Sequence, residues 1–441
     1  MKYNREVDRR DTISRFGTLE TSTASYRLPT CAPTPKNRTE VKAIEQLHNM
    51  GARYEIIVPP LSRVSEVADE LSALAGNLVD RLSIGYKKPL ILPDIENEIF
   101  SFNCEARKKL FKWNGRTSSY ETEEAISGIV NSNLSGDNST HLEWRKMILK
   151  YGYAPLLNFM SRKLAGLGAD VFFVPTPIVR AENETVRLAL DIANAEVPLA
   201  KLNQKFTMHG VQFLLYGEIF EEGSQSLESR TKLIEGLRGW AKKDSMNSLF
   251  LSFKVHDPNG KILRNPNTGH SARKNLSEFI TNLQEAVEAS GSVLLGLNWG
   301  NWSLGILDSG ADIVSFKVDG RADITRVFSR RKGFRSNRRV PDFMMPRALT
   351  DAHYERLKTI YEETDAFPCS YPVRPEPYWE FSYDSQHQFV AIERLATQFN
   401  LSDEYRNAGI DISVNFREAV TSRVNDSEIS QELHDLSPST W

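Results

Sequence analysis

The chain has 441 residues and a formal net charge of −2, with 25% charged and 40% hydrophobic residues. This is ordinary globular composition, with length enough for a large core in one or more domains. The balanced charge excludes a polycation, so any nucleic-acid surface would be a local patch. Three scattered cysteines, Cys31, Cys104 and Cys369, exclude a disulfide framework and a Cys-x-x-Cys zinc knuckle, and they suit a reducing cytoplasm.

The opening stretch, "MKYNREVDRRDTISR", is charged throughout and lacks the apolar core of a secretory signal. Nowhere is there an apolar run of about 18 residues, the length a membrane helix needs. The expected location is therefore cytoplasmic, with no membrane partner.

Beyond it, helix-like and strand-like segments alternate. "VKAIEQLHNMGA" (41–52) is amphipathic and stops at Gly51, and "RYEIIVPP" follows as a buried strand ended by prolines. Another helix, "VSEVADELSALAGNLVDRL", leads to the strand "KPLILPD". "LEWRKMILKYGYAPLLNFMSRKLAGLGA" is helical, and "DVFFVPTP", "VQFLLYGE" and "LFLSFKV" are strands, the last two separated by the helix "SLESRTKLIEGLRGWAKKD". "SARKNLSEFITNLQEAVEAS" is a helix, "SVLLGLNWG" a strand, "WSLGILDSG" a short helix and "ADIVSF" a further strand. Seven strands are predicted, over 54–58, 89–93, 171–175, 211–216, 249–255, 292–297 and 312–316, and an eighth is easy to miss by pattern alone.

Continuous apolar strands alternating with helices imply parallel strands covered on both faces. No Gly-rich dinucleotide turn or phosphate loop is present, so the pattern fits one α/β fold, a closed (β/α)8 TIM-like barrel, better than open sheets. The expected layout is a barrel over 1–345, entered through a β-hairpin at about 14–35. A mostly helical extension over 346–441 would pack on the barrel or build a dimer face through "TDAHYERLKTIYEE" and "SQHQFVAIERLATQF". Polar stretches at 131–140, 221–226 and 424–440 read as surface.

In such a barrel the chemistry sits where strands end. Those ends carry Asp94, Pro175 and Thr176, Tyr216-Gly217-Glu218, Lys254 and His256, Asn298 and Trp299, and Lys317 with Asp319. Each has a bland reading. Asp94 suits a helix cap, His256 an exposed turn before "DPNG", and Tyr216 and Trp299 core packing. Converging carboxylates and aromatics nevertheless make these ends a site hypothesis, with Phe253 added to the pocket.

A basic stretch follows. Residues 326–347, "RVFSRRKGFRSNRRVPDFMMPR", hold Arg326, Arg330, Arg331, Lys332, Arg335, Arg338, Arg339 and Arg347 against the single acid Asp342, with phenylalanines interleaved and Arg321 just upstream. Arginines neutralise phosphates and aromatics stack on splayed bases, so RNA or DNA is the expected partner; a solvated face or an intramolecular clamp is the alternative.

The stretch "RFGTLETSTASYRLPTCAPTPKNRTEVKAIEQLHNMGARYEII" resembles the N-terminal entry of the tRNA-guanine transglycosylase superfamily, through Arg15, Gly17, Leu19, Thr21, Pro29, Val41-Lys42-Ala43 and Gly51-Ala52 in order. "PLILPDIENEIFSF" resembles the strand that delivers that family's first active-site aspartate. "LGADVFFVPTP", "FLLYGEIF" and "GSVLLGLNWGNWSLGILDSGADIVSFKVDGR" are similar to later pocket strands. The likeness covers about 15–325, with a weaker echo at 385–396, and extends to DNA-acting deazaguanine transglycosylase relatives.

The resemblance implies base exchange: a pentosyltransferase replacing a purine with a 7-deazaguanine-type base in RNA or DNA. It makes Asp94 the surviving carboxylate. The nucleophilic aspartate, however, falls at Ser315, the guanine-reading aspartate near Thr176, and the recognition glutamine near Tyr216, with Gly217 kept. Glu96 and Asn97 stand where the family has Gly-Gly. Of the family zinc site only Cys369 and His387 remain, too few to hold the ion, so no cofactor is expected.

Glycosidic chemistry asks for one carboxylate to trap an oxocarbenium-like carbon and an acid to protonate the leaving base. Here a second carboxylate would have to be Asp319, Glu96 or Glu98. Asp312 reads as structural. Three readings stay open: an active transglycosylase, a catalytically silent barrel that binds nucleic acid or a partner protein, and a different barrel enzyme using Lys254 or Lys317 as a Schiff-base amine.

Overall fold

The computed structural model describes residues 2–5, 17–22, 24–63, 67–74, 88–96, 154–202, 206–257, 262–263, 268–300, 303–318, 343–345, 350–352 and 383–408. The fold is mixed α/β, built on a six-stranded all-parallel sheet, and this arrangement is compatible with the expected barrel. Sheet order follows from six segments: β4 (Thr30–Thr34), β7 (Val171–Val179), β8 (Met208–Tyr216), β9 (Phe250–His256), β10 (Val293–Gly296) and β11 (Ile313–Lys317). They run β4-β11-β10-β9-β8-β7.

A parallel pair, β5 (Ile56–Ile57) and β6 (Leu90–Ile91), lies between the two outer strands of that sheet. The Val58 amide donates to Pro33 O at 2.9 Å beside β4, and the Asp170 amide donates to Ile91 O at 3.0 Å beside β7. The N-terminal hairpin, β2 (Gly17–Glu20) with β3 (Ser25–Leu28), is antiparallel and extended by β1 (Lys2–Arg5).

The sequence makes these strands for a simple reason. Val171 to Val179 and Met208 to Leu215 are buried throughout, as expected of strands covered on both faces. The strand that pattern reading did not assign is β4, "TCAPT". It is short and carries a proline, which ordinarily argues against a central strand. Pro33 is tolerated because its carbonyl, not an amide, makes the bond to Val58, and β4 pairs in register with β11, Pro33 opposite Phe316.

Helices cover the sheet. α1 (Arg38–Asn49) starts at a reciprocal cap: Glu40 N donates to Asn37 Oδ1 at 3.1 Å, while the Glu40 carboxylate accepts from Lys36 N at 2.7 Å. The others are α2 (Ala154–Leu167), α3 (Asn183–Lys201), α4 (Ser224–Trp240), α5 (Gly269–Glu288), α6 (Ser303–Asp308) and α7 (Tyr383–Ala408). α7 docks at the β4 edge. Tyr54 donates its hydroxyl to Leu395 O and packs its ring on Phe316 and Phe399 at 6.0 and 5.5 Å. Cys31 N donates to Ser402 Oγ at 3.1 Å.

Of the stretch 350–363, whose amphipathic pattern predicts a helix, only Thr350–Ala352 is described, and it pairs antiparallel with Phe343–Met345; the rest of that prediction lies outside the described residues.

Candidate functional site

The parallel strands all end at one edge of the sheet. Asp94 lies just past β6 and is 1% exposed. Its carboxylate takes four donors. Glu96 N and Gln212 Nε2 reach Oδ1 at 2.9 and 3.0 Å, and Lys254 Nζ and Asn298 Nδ2 reach Oδ2 at 3.0 and 2.9 Å. The donors come from β8, from β9, from the turn after β10 and from Asp94's own loop.

Burial pushes the Asp94 carboxyl up. The Lys254 charge, the Glu96 amide and the Gln212 amide more than offset that, so the group sits below the ordinary carboxylate range. At neutral pH it is an anion, paired with a lysine whose side chain keeps 10% exposure.

The surroundings are pre-set. Gln212 also accepts from Ile95 N at 3.2 Å, and Thr176 donates to Gln212 O at 3.0 Å. Glu96 and Asn298 both have left-handed backbone, with φ of 51° and 62°. Such strain persists only where surrounding bonds over-determine it, and it clusters at functional sites. Ser315 Oγ accepts from Asn298 N at 2.9 Å, and Ser315 O accepts from Trp299 N at 2.9 Å. Ser315 is thus fully buried and holds the turn that presents Asn298. Asn298 Oδ1, Ser252 Oγ, Thr34 Oγ1 and Trp299 Nε1 are buried polar atoms with no partner among the described residues.

A second group lies nearby. Strand register sets Gln212, Leu214 and Tyr216 opposite Ser252, Lys254 and His256. Tyr216 and His256 approach to 5.5 Å between rings, and the Arg180 guanidinium stands 4.5 Å from the Tyr216 centroid. Arg180 also pairs with Glu218 at 3.3 Å. Burial first, then the Lys254 and Arg180 charges, lower His256 to about 4, so its ring is neutral at neutral pH. Gly217 backs on Asp257: an added Cβ would meet Asp257 Cβ at 3.2 Å and Ile262 Cδ1 at 3.1 Å. Asp257 accepts from Leu263 N at 2.8 Å.

Of the sequence-predicted residues, Asp94, Lys254, Asn298, Ser315 and Thr176 are joined in one hydrogen-bonded set, and Tyr216, Glu218 and His256 in the neighbouring one. His256 is buried rather than an exposed turn residue. Phe253 lies on the opposite strand face from Lys254 and packs against Trp299 at 6.0 Å. Asp312 accepts from Leu294 N at 2.7 Å, a main-chain tie. Asp319, Glu98, Cys369 and the segment from Arg321 through Arg339 lie outside the described residues. Among the described residues, no three His, Cys, Asp or Glu side chains gather where one metal ion could be held.

No protein-family model matches the chain, and no curated protein matches it.

Sequence reasoning passed over Gln212 and Arg180. Gln212 interrupts the apolar run "VQFLLY" and stands beside Ser252 of "LFLSFKV". Two polar residues in adjacent buried strands are the signal that finds it. Arg180 closes "PTPIVR", one residue past β7. Among the described residues no helix is long and apolar enough to cross a membrane.

Proposed function

We propose that the chain is a closed (β/α)8 barrel that exchanges nucleobases in RNA or DNA, replacing a purine with a 7-deazaguanine-type base. Ring closure is supported by the Val58–Pro33 and Asp170–Ile91 backbone bonds on either side of the β5–β6 pair. The observation that carries the functional reading is the convergence on Asp94 of Lys254, Asn298 and Gln212, drawn from separate strands. This arrangement suits a proton acceptor and donor for a base leaving and entering a glycosidic bond. Asn298 and Gln212 hold the carboxylate in place. Arg180, Tyr216 and the neutral His256 offer a cation and flat rings to a base extruded from its stack. The arginines from 321 to 339 would hold flanking phosphates.

The test is label release. Full-length protein is incubated with RNA and, separately, DNA oligonucleotides carrying labelled guanine, plus a free 7-deazaguanine base. Base-dependent release from one of them is expected. Absence of release from both sinks the exchange reading.

A second reading rests on Ser315. Where the resemblance puts a nucleophilic carboxylate the chain has a serine, and its hydroxyl is committed to the Asn298 amide. A barrel that binds nucleic acid or a partner without chemistry follows from that. Tight, salt-sensitive binding without release would establish it.

A further inference from the structure

We infer that Lys254 is the nucleophile of this site, taking the part that the carboxylate missing at position 315 would play. The inference rests on the base-exchange reading above and goes beyond it, because it assigns the covalent step to an amine.

The geometry sets an amine beside a carboxylate that can take its proton. Lys254 Nζ lies 3.0 Å from Asp94 Oδ2, within reach for direct proton transfer. Asp94 is itself oriented by Asn298, Gln212 and the Glu96 amide. Nucleophile, base and orienting group in series are the arrangement that makes a side-chain amine reactive. Access points the same way: the Lys254 side chain is 10% exposed, whereas Ser315 is 0% exposed and hydrogen-bonded to main chain. The other groups near the pair leave it the natural choice. His256 is neutral, and Tyr216 and Glu218 are engaged with Arg180.

The step balances as follows. Asp94 takes one proton from the Lys254 ammonium. The freed Nζ lone pair bonds to the anomeric carbon of the nucleotide while the carbon–nitrogen bond to the base breaks. Its electron pair leaves with the base nitrogen, which takes the proton from Asp94. The result is a cationic glycosylamine on Lys254 beside an ionised Asp94, so the charge of the pair is unchanged. The incoming base gives its proton to Asp94, attacks the same carbon and expels the amine, which regains its proton. A side branch gives a handle. If the ring oxygen takes a proton from Nζ and the ring opens, a protonated imine forms that borohydride reduces to a stable secondary amine.

Full-length protein is incubated with RNA or with DNA oligonucleotide and treated with borohydride, and the adduct is mapped by peptide mass spectrometry. The expected result is a sugar adduct on Lys254 with one of the two nucleic acids, which also tells which is the substrate. In parallel, label exchange is measured in Lys254→Arg, which keeps a cation for Asp94 but has no amine to deprotonate; thermal unfolding verifies its fold. A loss of roughly 100-fold or more is expected, the scale of removing one reacting group. If exchange occurs in the wild type yet no adduct maps to Lys254, or if folded Lys254→Arg retains exchange, the inference fails and base exchange stands. If the wild type gives neither exchange nor adduct, both fall. Should Lys254→Arg fail to fold, the wild-type adduct map decides alone.

Discussion

The two ends of the parallel sheet use aspartates differently. At the start of β7 and of β11 the chain reads Gly-Ala-Asp twice, at 168–170 and 310–312. Each glycine has a left-handed φ, 71° and 115°, which ends the preceding helix without a Cβ penalty. Each aspartate then bonds the neighbouring strand's main chain: Ile91 N to Asp170 Oδ2 at 2.8 Å, and Leu294 N to Asp312 Oδ2 at 2.7 Å. In both cases the aspartate's own amide donates back, to Ile91 O and Leu294 O at 3.0 Å. At the other end, Asp94 gathers three side chains, one of them charged. A carboxylate that ties backbone to backbone sets strand register. One that collects side chains from several strands ties those strands together through a buried charge, and the lysine that neutralises it makes it costly to disturb.

Substitutions test this difference. Asp94→Asn leaves the Lys254 charge buried without its counter-ion and should cost about 3–5 kcal/mol. Adding Lys254→Met should restore most of that, because the buried charge is gone; urea unfolding of the wild type, the two single variants and the double variant closes the cycle. Asp312→Asn keeps an oxygen for Leu294 N and should cost only about 1 kcal/mol. Equal losses at the two positions would remove the distinction.

Acid should destabilise the fold in a defined window. Burial lowers both His48 and His256 to about 4. Between the ordinary histidine value and 4 the unfolded chain binds protons that the folded chain refuses. Stability therefore falls as pH drops through that range, by about 2 kcal/mol per histidine at pH 5. Asp94 works in the other window. Its folded value is depressed, so its contribution is complete above the unfolded carboxylate range and is lost only below it. Denaturant midpoints at pH 7 and pH 5 in wild type and His48→Gln separate the two, since the variant should show a shallower fall.

Gly210→Ala probes packing at the Asp312 end. Its Cβ would lie 2.5 Å from Phe173 Cε1 and 2.6 Å from Phe250 O; the second contact is backbone and does not swing away, so a loss of about 1–3 kcal/mol is expected in thermal unfolding. A similarly small effect belongs to Ser315→Ala. It removes the acceptor for Asn298 N and, like Asp312→Asn, should cost about 1 kcal/mol.

Much of this was legible before the fold was known. The Gly-Ala-Asp strands and the long apolar runs of β7, β8 and β9 announce themselves, because full burial leaves no polar alternation to confuse them. Asp94, Lys254 and Asn298 were visible as polar residues at strand ends. What escaped had physical reasons. β4 hides behind Pro33, whose missing amide matters only if one knows which of its backbone groups the neighbour uses. Gln212 is masked by the apolar residues around it.

Cys31 illustrates a further use of the α7 dock. Burial pushes its thiol up to about 12, only partly countered by Arg406 and Ser402. Reagents that need a thiolate will therefore pass it by while α7 stays seated. The alkylation rate at this one sulfur, mapped by peptide mass, becomes a clock for how often α7 lifts from the sheet edge.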